Sequence, residues 1–264
     1  MNNRWRAILS GIALATVILG TGTLVATSSA QSQPETHSGH HWLLKADMPI
    51  VIGGYGDNFD YTGKTVRPVR GFATLDIDPE RKTGTIEATL NVPASSPLHF
   101  SRQATTENGV TVVKEEYLEG EIKIVLKIDQ NTRLVENEWL HGDTGKEAPV
   151  LPDLFNWIAG WPMAEVYVNG QLAYQNLGGH FMFAEQVRRA DGSVRRDDGT
   201  FYTMDAKDKS HYTIPGRWEL HVMVMSMDQP DEHNFPPFAK VLHANFENIF
   251  VVNTPPGVAI NYSR

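Results

Sequence analysis

The most specific chemistry in the chain lies in two His-x-Met pairs, His180-Phe-Met182 and His221-Val-Met223. On a β-strand, side chains two residues apart project from the same face. Each pair can therefore present an imidazole and a thioether to one ion. Soft thioether sulfur with imidazole suits Cu(I). The second pair belongs to Trp218-Glu-Leu-His-Val-Met-Val-Met-Ser-Met227, whose alternation puts Glu219, His221, Met223, Met225 and Met227 on one face. Leu220, Val222, Val224 and Ser226 take the other. The expected metal ligands are His180, Met182, His221 and Met223, with Met225 and Met227 as secondary participants. The competing expectation is a sheet buried on both faces, with Met as adaptable core filler and His as a hydrogen-bonded core residue.

Three other groupings could do chemistry. His141-Gly-Asp143, with a distant His211 as third ligand and Arg217 as a carboxylate clamp, has the composition of a non-haem iron facial triad. The same stretch also reads as a Gly/Asp turn. His243, Asn245 and Glu247 share one face of the last strand and suit a hard-donor metal site or acid–base work, or simply a solvent face. His37, His40 and His41 form a His-rich tract that captures metal loosely or is a solvated tail. There is no Gly-x-Ser-x-Gly, phosphate loop, dinucleotide fingerprint or His-Glu-x-x-His, so nucleotide chemistry and the common hydrolase designs are unsupported.

The elements that must position these residues are strands. Phe72–Asp78 and Thr85–Val92 alternate cleanly around the turn residues Asp78–Gly84, which predicts a hairpin. Val110–Tyr117 and Glu119–Ile128 are expected to be the next pair. Glu165–Val168 and Gln171–Tyr174 flank Asn169-Gly170, the composition of a two-residue type I′ turn. A further hairpin is expected through His180–Val187, and Val241–Val252 reads as the last strand. Asp153 and Gly160 punctuate Leu151–Gly160 as the start and end of one short helix. The fold class is all-β, an antiparallel β-sandwich or barrel with a jelly-roll-like arrangement possible, and one short helix near 151–160.

Composition bounds the rest. Arg4 and Arg6, the apolar run Ala7–Val25 and the small residues Thr27–Ala30 match a secretory signal peptide over 1–30. A flexible His-containing tail over 31–41, a β domain over 42–254 and a C-terminal tail over 255–264 are expected to follow. The formal net charge is −8. Loss of the two arginines makes it −8 − 2 = −10, which argues against nucleic acid or anionic membrane as partner. No membrane span is expected after cleavage. With Cys 0, neither a lipidated Cys nor a disulfide is available, and the domain must rely on core burial.

These observations predict an exported protein of the periplasm or extracellular space that binds a metal ion, copper preferred, and partners a metal ion or a metal-delivering protein. Two alternatives come from other classes. One is a metal-free β-sandwich module that binds a glycan, lipid or protein through its loops. The other is a metal-dependent jelly-roll enzyme using His141 and Asp143.

Overall fold

The computed structural model describes residues 39–56, 60–227, 237–258 and 260. The expected signal peptide, most of the His-containing tail and His37 lie outside them. Among the described residues there are thirteen strands and no helix. In chain order they are β1 (Trp42–Gly53), β2 (Arg67–Pro68), β3 (Arg70–Asp78), β4 (Thr83–Val92), β5 (Leu98–Glu107), β6 (Val110–Leu118) and β7 (Gly120–Ile128). Then come β8 (Arg133–Leu140), β9 (Leu154–Trp161), β10 (Met163–Val168), β11 (Gln171–Glu185), β12 (Trp218–Met225) and β13 (Val241–Asn253). No helix here is long and apolar enough to cross a membrane.

Eight strands close an antiparallel barrel in the order β1-β3-β4-β7-β10-β11-β12-β13, with β13 returning to β1. A barrel of this size has an interior that side chains just fill. Leu44, Leu75, Ile124, Phe181, Val222 and Phe246 are among the fully buried residues that do so. The predicted hairpin of β3 and β4 is present. So is the one at Asn169-Gly170, where both residues have positive φ (51° and 78°) as a type I′ turn requires.

β6 does not pair with β7. It folds back on β5 as a separate two-stranded sheet, while β7 joins β4 and β10. Only Glu119 separates β6 from β7, too little chain to reverse direction into a paired hairpin.

β11 is long enough to serve two partners along one edge. Its first half, Gln171–Gly178, pairs with β10 and closes the barrel; Phe181–Ala184 pairs with β9, which in turn carries β8. The helix expected near 151–160 is thus a correction: Leu154–Trp161 is strand β9. Its aromatic and branched residues favour extended backbone, and both its edges find ladder partners in β8 and β11. A bulge at Trp157 shifts its register, so Asn156 and Ala159 both oppose the same face of β11.

The outer face of β11 and β12 is covered as well. The segment 141–153 and the connection 186–217 lie over it and build a second core from Leu140, Leu151, Met182, Val187, Tyr202 and Tyr212. The Tyr202 hydroxyl bonds to the carbonyls of Pro149 (2.7 Å) and Leu151 (2.8 Å), and Tyr61 donates to Val150 (2.7 Å), which ties the layers together. His40 and His41, the end of the expected tail, are anchored to Glu136 (2.9 Å) and Asp76 (2.7 Å).

Candidate metal centre

The register of three strands assembles the candidate residues. His180 lies directly opposite Met223, and Met182 directly opposite His221. On the far edge of β12, Met223 opposes His243 and His221 opposes Asn245. Both His-x-Met pairs therefore share one face and sit side by side, crossed so that each imidazole meets a thioether. This is the outer face of the barrel wall. Leu220, Val222 and Val224 point the other way into the barrel core, so the sheet is buried on both sides.

His141 joins this face from the overlying segment. It follows β8 and holds φ at 62°, a left-handed backbone unusual for a residue with a Cβ. Its amide donates to the Lys146 carbonyl (3.0 Å), and Gly142 donates to Leu151 (3.0 Å), which fixes the turn. The ring Nδ1 donates to the Ala148 carbonyl (3.0 Å). Its Nε2 stands 3.2 Å from Met182 Sδ. A carbonyl only accepts, so the ring proton is at Nδ1. Burial lowers the His141 pKa and keeps the ring neutral, which leaves a lone pair on Nε2 facing a sulfur that has no hydrogen to give.

His180 repeats the arrangement. Its Nδ1 donates to the Gly160 carbonyl (3.0 Å). Burial first, then the neighbouring His141, pushes its pKa down to about 3. The His141 and His180 rings are 6.4 Å apart. Trp161 stacks on His180 with centroids 4.8 Å apart and an 18° tilt, and the Arg133 guanidinium lies 4.3 Å from the Trp161 ring. On the opposite, core-facing side of this strand Gly160 lets Leu134 and Phe181 close in, because a Cβ there would run into both.

His221 has a different environment. Its Nε2 bonds Glu219 Oε1 (2.5 Å) and its Nδ1 bonds His243 Nε2 (3.0 Å). Asn245 Nδ2 donates to the other Glu219 oxygen (2.7 Å). Burial would raise the Glu219 carboxyl; His221, Asn245 and Arg188 outweigh it and hold it below its usual range. Both ring nitrogens of His221 are thus taken up by protein, in a buried carboxylate–imidazole–imidazole chain. Glu247, at the end of the face predicted for His243, Asn245 and Glu247, has its carboxyl pushed up to about 7 by burial and then by Glu219.

The His141–Asp143–His211 triad is not brought together. Asp143 is half exposed and pairs with Lys209 Nζ (3.4 Å), His211 is exposed, and His141 turns to Met182 instead. Among the described residues, no three His, Asp or Glu side chains are grouped so that they could hold an ion by themselves. A metal here must draw on the thioethers.

His141 is the residue whose placement its own sequence neighbourhood conceals. It lies far from both His-x-Met pairs in the chain, and only the β8-β9-β11 pairing carries it to them. The chain matches no known protein family, and no curated protein or solved structure resembles it significantly.

Proposed function

We propose that this is an exported copper-handling protein that binds one Cu(I) between His141 Nε2, His180 Nε2 and Met182 Sδ, with Met223 alongside. The observation that carries the reading is the His141–Met182 contact. Two lone-pair donors 3.2 Å apart, with no proton between them, repel each other unless something electrophilic binds both. Imidazole and sulfur donors sharing one tetrahedral ion, with bonds of about 2.0 and 2.3 Å as at zinc, lie about 3.5 Å apart. The anchoring of each Nδ1–H on a backbone carbonyl is the usual support of a metal-binding His.

The donor set is neutral and soft, which favours Cu(I) over harder divalent ions. Glu219, buried on the same face and linked through His221, adds a carboxylate to the polar support of the site. His221 serves here as part of that polar support, and His141 takes the ligand position first expected for it.

The experiment is competition of the purified, untagged protein with a chromogenic Cu(I) chelator, for wild type, His141→Ala and Met182→Leu. Leu conserves most of the Met volume, so without metal Met182→Leu costs about 1.5 kcal/mol or less. Both variants are expected to lose most of the Cu(I) affinity. Wild-type protein should gain thermal stability with Cu(I), because a ligand of the native state stabilises it by mass action. A wild type that takes up no Cu(I) would reduce the His/Met face to core packing and return the metal-free binding module to first place.

A further inference from the structure

The same face of β12 continues past the centre. Met223, Met225 and Met227 follow at intervals of two, and their exposures rise outward from 7 % through 9 % to 67 %. Ser226 holds the chain in line beyond the strand, its amide donating to the Lys240 carbonyl (3.0 Å) and its hydroxyl accepting from the Lys240 amide (3.0 Å).

Opposite Met225 stands Gly178. A Cβ placed there would lie 2.6 Å from Met227 Sδ and 3.4 Å from Met225 Cγ. Both Met side chains therefore fold over the same bare backbone, two residues from His180. Met223 lies directly opposite His180 itself. Around Met225 the cross-strand neighbours are Gly178 and Val241, so no hard donor interrupts the row. Core filler does not explain a methionine that is two-thirds exposed and still laid along this row.

We propose that Met223, Met225 and Met227 form a thioether ladder by which Cu(I) reaches the centre from the surface, with Met225 and Met227 as a weak, thioether-only Cu(I) station. The ladder rests on the copper reading of the centre. Thioethers bind Cu(I) in preference to hard cations. Steps of two residues, about 6.6 Å along a strand, let an ion pass between neighbouring sulfurs carried on flexible side chains. The ladder governs rate; the imidazoles of the centre govern affinity.

The test is anaerobic stopped-flow transfer of Cu(I) from its complex with a chromogenic chelator to the full chain. Wild type is compared with Met227→Leu, the Met225→Leu/Met227→Leu double variant and Met182→Leu. The double variant should keep its equilibrium affinity within about twofold and load about tenfold more slowly. Met227→Leu alone changes only an exposed side chain, so a slower loading there cannot come from misfolding. In nuclear magnetic resonance, the ε-methyl signals of Met225 and Met227 should move only after the first equivalent of Cu(I) is bound. If both variants load at the wild-type rate while wild type binds Cu(I), the ladder is wrong and the centre stands. If the double variant loses as much affinity as Met182→Leu, these residues are ligands and the ladder is likewise wrong. If wild type binds no Cu(I), the centre and the ladder fall together.

Discussion

Proton competition offers a sharp test of the copper centre, because the two proposed imidazole ligands are held neutral by their surroundings. A His ligand must be deprotonated to bind metal. An imidazole of ordinary pKa near 6.5 is almost wholly protonated at pH 5 and costs a factor of about 30 in affinity, so two such ligands cost about 1000-fold. His180, with its pKa pushed down to about 3, costs nothing at pH 5. His141 is lowered by burial, so its cost is less than the factor of about 30 for a free imidazole. Cu(I) affinity should therefore fall by less than about 30-fold between pH 7.5 and pH 5. The assay is the chelator competition repeated in half-unit pH steps, with the chelator's own proton dependence measured separately. A fall approaching 1000-fold would show two ordinary, freely titrating imidazoles and refute the neutral, carbonyl-anchored arrangement.

Other predictions concern the supporting structure. Glu219→Leu strands the His221 ring and the Asn245 amide in a fully buried site, and chemical denaturation should register a loss of about 3–5 kcal/mol; a loss under about 1 kcal/mol would mean that the network relaxes freely. Glu247→Gln tests the raised carboxyl. The folded pKa of about 7 exceeds the unfolded value, so wild-type stability falls as pH rises from the ordinary carboxylate range through about 7. The variant should lack that fall, and its advantage in thermal midpoint should grow up to pH 7 and then level off. Gly142→Ala puts a Cβ at φ 55° against the Asp153 side chain. It should cost about 2 kcal/mol in denaturant unfolding and weaken Cu(I) binding by displacing His141; unchanged affinity would show that the turn does not set the ring.

Much of the barrel was legible because its strands alternate. β3, β4, the Asn169-Gly170 turn and β13 follow directly from period-two patterning and turn chemistry. β9 was misread because Asp153 and Gly160 imitate helix ends, and because the bulge at Trp157 breaks the alternation that would have marked a strand. The long, irregular connection between Glu185 and Trp218 hid the pairing of β11 with β12, since no turn type constrains it. That His180 and Met182 share one strand face, and His221 and Met223 another, was nonetheless visible in their spacing alone. The contribution of His141 was not, because its position depends on tertiary pairing, and its sequence neighbours Gly142 and Asp143 suggested a different site. The withdrawal of His221 into a chain with Glu219 and His243 was equally hidden, since it depends on which strand borders β12.

The donors of the proposed centre come from two layers of the fold. His180 and Met182 are part of the barrel wall, where β11 is laddered on both edges. His141 belongs to the overlying layer, held by side chains such as Tyr61 and Tyr202 and by a short run of turn hydrogen bonds. Any opening confined to that layer would break its own small core and leave the barrel intact, at a free energy below that of global unfolding. Opening of the outer layer removes one imidazole and leaves the other donors in place on an intact barrel. The grip on an ion is then set by the fraction of time that layer is shut, and amide exchange over 141–153 measures that fraction directly.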